Sequence, residues 1–173
     1  PSNSSAASDV YKRQSYDLLL VGSGVRANGG WSVDISNPEL PSVVWHYTTP
    51  GWSLRLDYAY GYLFVADGTL GVSSQGSFRI LELTQSGTFV SVAGDTLSAS
   101  VQDVAIWENF AYIVTWDNIS TSELVAYEIH NPAFPLRVHT YSLESCKAIA
   151  TKQDGVIGVV GRGGLYLFQH QLR

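Results

Sequence analysis

Two segments of this chain, 94 residues apart, spell nearly the same phrase. Val33-Asp34-Ile35-Ser36-Asn37-Pro38-Glu39-Leu40-Pro41 aligns with Tyr127-Glu128-Ile129-His130-Asn131-Pro132-Ala133-Phe134-Pro135, each an apolar-acid-Ile strand end followed by Asn-Pro-x-x-Pro. Half of that offset is 47, and near residue 81 a third copy stands, Leu81-Glu82-Leu83 followed by the shorter turn Thr84-Gln85-Ser86-Gly87. A second pattern keeps the same period. Segments starting at Trp52, Val101 and Cys146 each place a valine thirteen residues on, at Val65, Val114 and Val159, inside a short apolar run. A repeat of this length describes units that cannot bury both faces alone and must stack on their neighbours.

Each unit reads as four short strands of antiparallel type, A to D, bounded by turn residues. In the second unit, strand A is Trp52 to Leu56, with Leu54 and Leu56 alternating against Ser53 and Arg55. Strand B, Tyr62 to Ala66, is apolar throughout, as expected of a strand covered on both faces. Asp67-Gly68 reads as a turn that ends it. Strand C is Ser77 to Leu83 and strand D is Thr88 to Ala93. The third unit gives Val101 to Trp107, Phe110 to Thr115, Leu124 to Ile129 and Leu136 to Tyr141. The expected divisions are a partial first unit over 15–51 with strands B, C and D, full units over 52–100 and 101–145, and a partial unit over 146–173 with strands A, B and C. The fold class is therefore all-β: a β-propeller-like array of four-stranded antiparallel blades. The 173 residues, less a fourteen-residue lead, divide into about 3.4 blades, an incomplete ring.

The residues that carry the repeat resemble the LVIVD-repeat family. Gly61-Tyr62-Leu63-Phe64-Val65-Ala66-Asp67-Gly68 is similar to its Tyr-x-Tyr-Val-Ala-Asp-Gly segment, and Val33 to Pro41 to its Asp-x-Ser-x-Pro-x-x-Pro element. The second copy lacks the Asn-Pro-x-x-Pro turn, and Trp116-Asp117-Asn118 replaces Ala-Asp-Gly in the third. The resemblance implies a bacterial or archaeal propeller, extracellular, periplasmic or at the cell surface, without established catalytic activity.

Residues 1–14 are rich in Ser, Ala and Asn and lack apolar periodicity. Ser8 to Gln14 resembles translated adapter sequence, and the chain has no methionine. The lead is accordingly expected to be non-native or disordered, and the chain to be a fragment whose partners include the missing blades of a parent protein. Such a fragment is expected to expose an apolar blade face at each end or to associate.

Composition narrows the function classes. Ten basic residues against fifteen acidic give a charge of -5, with no basic stripe to meet a phosphate backbone, so nucleic acid is not an expected partner. No apolar run approaches the roughly 18 residues of a membrane-spanning helix. Cys146 is the single cysteine; it reads as a small buried hydrophobe. The histidines at 46, 130, 139 and 170 have no paired metal-ligand spacing and read as solvated or strand-edge residues. Ser23, in Gly22-Ser23-Gly24, is a turn residue and not a nucleophile elbow. Gly161-Arg162-Gly163-Gly164 precedes a strand and not a helix, so it does not read as a phosphate cradle. No calcium loop of the Asp-x-Asp-x-Asp-Gly type occurs. No catalytic residue, metal or cofactor is expected.

Propeller geometry sends the B-to-C and D-to-A connections to one face, and the longer loops are there: Gly22 to Gly30, Asp67 to Gly76 and Trp116 to Ser122. Long loops on a rigid scaffold favour binding. The candidate residues of that face are Arg26, Asn28, Trp31, Trp52, Asp67, Asp95, Trp116, Asp117, Asn118 and Arg162. Tryptophan beside Asp, Asn and Arg suits a protein or glycan ligand, while Trp31 and Trp52 also suit packing between blades and Asp67 a turn. The expected function is a non-catalytic binding or interaction module. The alternatives are a hydrolase or lyase whose acids, Asp67, Asp95 and Asp117, converge at the channel mouth, and a purely structural spacer.

Overall fold

The computed structural model describes residues 10–13, 17–22, 29–49, 51–68, 75–117, 119–152 and 154–170; at 10–13 and 52–54 it describes the backbone only. Every element among these residues is a strand. The first sheet joins β1 (Val10–Arg13), β2 (Leu18–Gly22), β3 (Gly30–Asp34) and β4 (Ser42–Tyr47). The second joins β5 (Trp52–Ala59), β6 (Tyr62–Gly68), β7 (Gly76–Leu83) and β8 (Phe89–Leu97). The third joins β9 (Ser100–Trp107), β10 (Phe110–Trp116), β11 (Thr121–Glu128) and β12 (Leu136–Glu144), and the fourth joins β13 (Cys146–Thr151), β14 (Val156–Gly161) and β15 (Gly164–Gln169). All ladders are antiparallel meanders in chain order, and no sheet closes on itself. The molecule is an open array of four propeller blades, each about one repeat long.

The eight strands of the two full units lie where the repeat put them. Two details differ. Val10–Arg13, within the lead set apart as foreign to the fold, pairs with Leu18–Val21, so the first sheet has a fourth strand where three were expected. Asp67 and Gly68 are not a turn: they pair with Ser53 and Trp52 inside the ladder of β5 and β6. The Asn-Pro-x-x-Pro element is a turn in both copies, by the same bonds. Asn37 Oδ1 accepts from Glu39 N–H and its carbonyl from Leu40 N–H; Asn131 does the same for Ala133 and Phe134. The shorter second copy closes through Gly87 N–H to the Thr84 carbonyl at 3.1 Å, with Gly87 at a φ of 80° that favours glycine.

Stability comes from the blade faces. Between the second and third blades, Phe64, Phe78 and Ile80 meet Val104, Ile113, Val125 and Tyr127 in one cluster. Phe78 lies 6.2 Å from Phe64 and 5.2 Å from Tyr127, centroid to centroid. Similar layers join the first blade to the second through Leu20, Tyr47, Leu63 and Phe89, and the third to the fourth through Trp107, Tyr112, Cys146 and Val159. Alternation on the apolar strands β6 and β10 supplies residues to both faces, which is why these runs lack the polar positions of a half-exposed strand. Full burial of each such side chain contributes about 1.5–3 kcal/mol.

Two carboxylates tie neighbouring inner strands together. Asp57 accepts the N–H groups of Tyr58 and, across the blade boundary, Ile106, both at 2.8 Å. One repeat later Asp103 accepts Val104 N–H at 2.9 Å and Ile149 N–H at 2.8 Å. By ladder register Ala148 stands in the fourth blade where Asp103 stands in the third, and Arg55 stands there in the second, so the Asp57 clamp sits two residues further along its strand.

Replacing Asp103, 7% exposed, by alanine is expected to leave buried N–H groups unpaired and to lower stability by about 2 kcal/mol or more, read as a drop in urea midpoint. Phe78→Ala is expected to cost about 3–5 kcal/mol in the same measurement.

Candidate functional site

The B-to-C and D-to-A connections do share one end of the array: Gly76 N–H donates to the Ala99 carbonyl at 3.0 Å, joining the two kinds of connection. The candidate residues are distributed over this end and not gathered in one cluster. Arg26 and Asn28 lie outside the described residues, as do Asn118 and the side chain of Trp52.

Asp67 is the most enclosed of the set, 1% exposed. Oδ2 accepts from Ser77 Oγ at 3.0 Å, Ser77 Oγ in turn accepts from Arg79 Nε at 3.2 Å, and Arg79 Nε stands 3.5 Å from Oδ2. Thr49 and Gly51 lie close enough to favour the ionised form, yet Oδ1 is buried without a hydrogen bond of acceptable geometry. Burial is the largest influence and raises the carboxyl above its ordinary range, against the opposing pulls of Ser77, Thr49, Arg79 and Gly51. Asp67 Oδ1 is thus a buried acceptor beside Thr49 and Gly51 without a well-aligned donor.

Trp116 ends the equivalent strand one blade on. It is half-buried, its indole Nε1 is enclosed without a partner, and Lys147 Nζ of the fourth blade sits 4.1 Å from the ring centroid. This is a cation–π contact across the blade boundary. The exposed Lys147 covers the ring face that a stacking ligand would use, so such a ligand must displace a flexible side chain.

Asp117 closes its own loop: Oδ1 accepts the N–H groups of Ile119, Ser120 and Thr121 at 2.8–3.0 Å, and these bonds, that of Ile119 foremost, hold the carboxyl below its ordinary range. Asp95 accepts the Tyr127 hydroxyl at 2.6 Å, and Tyr127 is raised by burial first and then by this bond. Each of the three acids is thus engaged by a different local partner. Trp31 stacks on His46 of the adjacent strand at 5.1 Å, on the face opposite Ser32, whose hydroxyl bonds the Gly87 carbonyl of the second blade. Arg162 is exposed in the short turn between β14 and β15. Among the described residues no group of three His, Cys, Asp or Glu side chains is arranged to hold a metal ion.

Cys146 is buried, and burial raises its thiol. His170, at the end of the outer strand β15, is half-buried rather than solvated. Its Nδ1 lies 2.6 Å from the Tyr112 hydroxyl, and its ring packs 4.2 Å from Phe110 and 4.9 Å from Trp107. Burial, with Tyr141 and Glu108 adding to it, pushes Tyr112 up to about 12. The sequence reading passed over Ser77 and Arg79; their signal is alternation, since Ser77, Arg79 and Leu81 share a face of strand C and only Leu81 of the three is apolar.

The LVIVD repeat family model matches residues 26–49 and 98–142, covering the Asn-Pro-x-x-Pro copies of the first and third blades. No curated protein matches the chain.

Because the folded carboxyl of Asp67 binds its proton at higher pH than an unfolded aspartate near 3.9, the protonated form favours folding. That contribution is fully present below the unfolded value and lost as pH rises through the folded one. The wild-type protein is therefore expected to gain stability relative to Asp67→Asn as pH is lowered from 8 to 4, read as the difference in urea midpoints. A difference independent of pH would show that Asp67 is not raised.

Proposed function

We propose that this chain, which carries LVIVD repeats on a propeller-like array, serves as a non-catalytic binding module of an exported or cell-surface prokaryotic protein, taking a protein or glycan ligand at the B-to-C loop end. The observation that carries the reading is the pair of enclosed, unpartnered polar atoms at corresponding strand ends, Asp67 Oδ1 and Trp116 Nε1. Buried polar groups without partners cost free energy, and sites where they persist are commonly those that a ligand or water completes. One atom accepts and the other donates, and the indole adds an apolar plane. Hydroxyl-rich sugars and peptide backbones offer the matching donors and acceptors. The placement outside the cell follows from the LVIVD resemblance.

The separate engagement of Asp67, Asp95 and Asp117 supports binding over acid-base hydrolysis, which needs two carboxyl groups facing one bond. Asp117 in particular spends Oδ1 on three backbone donors of its own loop.

A glycan and peptide array probed with the labelled chain is expected to give a saturable ligand. Trp116→Ala is expected to weaken it at least tenfold, while Trp116→Phe, which keeps the plane and removes the N–H, loses less. Absence of any array ligand would favour the structural spacer, and turnover of an array glycan would favour the hydrolase.

A further inference from the structure

The second blade holds one cation by a single edge and leaves the other edge unused. Arg79, on β7, turns its Nε inward: it donates to Ser77 Oγ at 3.2 Å and stands 3.5 Å from Asp67 Oδ2. Ser77 pairs with Asp67 in the ladder of β6 and β7, so both anchors share the face of the sheet on which Arg79 lies. Among the described residues neither terminal nitrogen of Arg79 has a partner. About a third of the side chain is exposed. The guanidinium is therefore fixed in direction before any ligand arrives, and it presents a planar pair of donors whose side-chain freedom is already lost.

Opposite Arg79 in the ladder of β7 and β8 stands Gly94. A Cβ there would come within 2.6 Å of the Phe78 carbonyl oxygen, so the close approach of the two strands requires glycine. The equivalent pairs, one ahead of the bulge in each outer ladder, are Trp31 with His46 in the first blade and Val125 with Thr140 in the third. In the first blade the two side chains stack at 5.1 Å, so the outer strand covers its neighbour. In the second blade the outer strand offers only backbone at this point. A cleft of about 430 Å³ opens there, lined by Ser77, Arg79, Ser91, Gly94 and Thr96 among others.

By register Ser77, Arg79, Ser91 and Thr96 lie on one face of the sheet, the face of Leu81 that turns to the first blade. Asp95 lies on the opposite face, where it accepts the Tyr127 hydroxyl at 2.6 Å. The cleft is of small-molecule size, its side chains are polar, and it belongs to a blade with all four strands in its sheet.

The geometry points to a second binding site, independent of the ligand at Trp116: a cleft for an acidic sugar, whose carboxylate takes the two terminal nitrogens of Arg79 side by side and whose ring hydroxyls meet the hydroxyls of Ser91 and Thr96. A planar fork of donors matches a carboxylate with two parallel bonds. Serine and threonine hydroxyls both donate and accept, as sugar hydroxyls do. A neutral sugar entering the cleft leaves Arg79 without a partner, and a bare carboxylate leaves the hydroxyls without theirs, so the site discriminates against both.

The test titrates glucuronate into the isotope-labelled chain and follows the Arg79 Nε–H resonance by NMR, identified by its loss in Arg79→Lys. The shift is expected to saturate. Glucose, which has the hydroxyls without the carboxylate, and acetate, which has the carboxylate without the hydroxyls, are each expected to bind about tenfold or more weakly. Arg79→Lys keeps the charge and loses the fork, and is expected to weaken glucuronate about tenfold, read from the Ser91 and Thr96 amide shifts. Thr96→Trp, at an exposed position of the outer strand, fills the cleft and is expected to weaken binding as much while the free protein retains its Arg79 Nε–H resonance. A flat titration, full affinity in Arg79→Lys, or equal binding of glucose, acetate or a glutamate-containing tripeptide would overturn the proposal. So would glucuronate binding that Trp116→Ala abolishes, since the sugar would then occupy the loop end; the two sites can thus fail separately.

Discussion

The inner strands of this array are joined across blade boundaries by carboxylates that accept backbone N–H groups from two blades at once. Asp57 spans Tyr58 and Ile106, and Asp103 spans Val104 and Ile149. Apolar packing between blades is strong but non-directional, and a face of Phe, Ile and Val side chains permits sliding. A carboxylate bonded to a specific amide of the next blade's inner strand does not. The clamps fix the stagger of the second blade on the third and of the third on the fourth, and the clusters around Phe78 and Trp107 pack at that stagger. The loop end inherits its position from it.

Polar satisfaction is uneven along the molecule. The clamps, the Asn37 and Asn131 turns and the Asp117 loop place their acceptors on backbone donors with good geometry. At Asp67 and Trp116 the same strand ends leave one buried atom each without a partner. Asp67, one residue before the end of β6, and Trp116, the last of β10, each stand between a pair of serines, Ser53 and Ser77 for Asp67, Ser100 and Ser122 for Trp116. The scaffold is thus tightly determined while two neighbouring blade ends retain unused hydrogen-bonding capacity, a division of labour suited to recognition by loops on a rigid frame.

Much of this was legible in the sequence. The repeat of about 47 residues located the strands of the two full blades to within a few residues, because apolar runs and turn residues recur at fixed offsets. The Asn-Pro-x-x-Pro turn was readable because asparagine and proline act locally. The errors fell where long-range pairing overrode local preference. Asp67-Gly68 has turn chemistry but is held in a ladder by Ser53 and Ser77. Val10–Arg13 has no periodicity of its own and is a strand by pairing with β2. His170, expected to be solvated or at a strand edge, does follow the outer strand β15 but packs there against Trp107, Phe110 and Tyr112 of another blade.

By itself the sequence determined the fold class, the unit length and the apolar or polar character of each strand, since these follow from composition and spacing along the chain. The tertiary structure decided which polar groups are satisfied. Asp95 and Asp117 looked as available as Asp67, and only the arrival of Tyr127 from the next blade and of three amides from a folded loop engaged them. Hydrogen bonding and burial are properties of neighbours in space, and at a blade boundary those neighbours lie tens of residues apart in the chain, 32 for Asp95 and Tyr127 and 46 for Asp103 and Ile149.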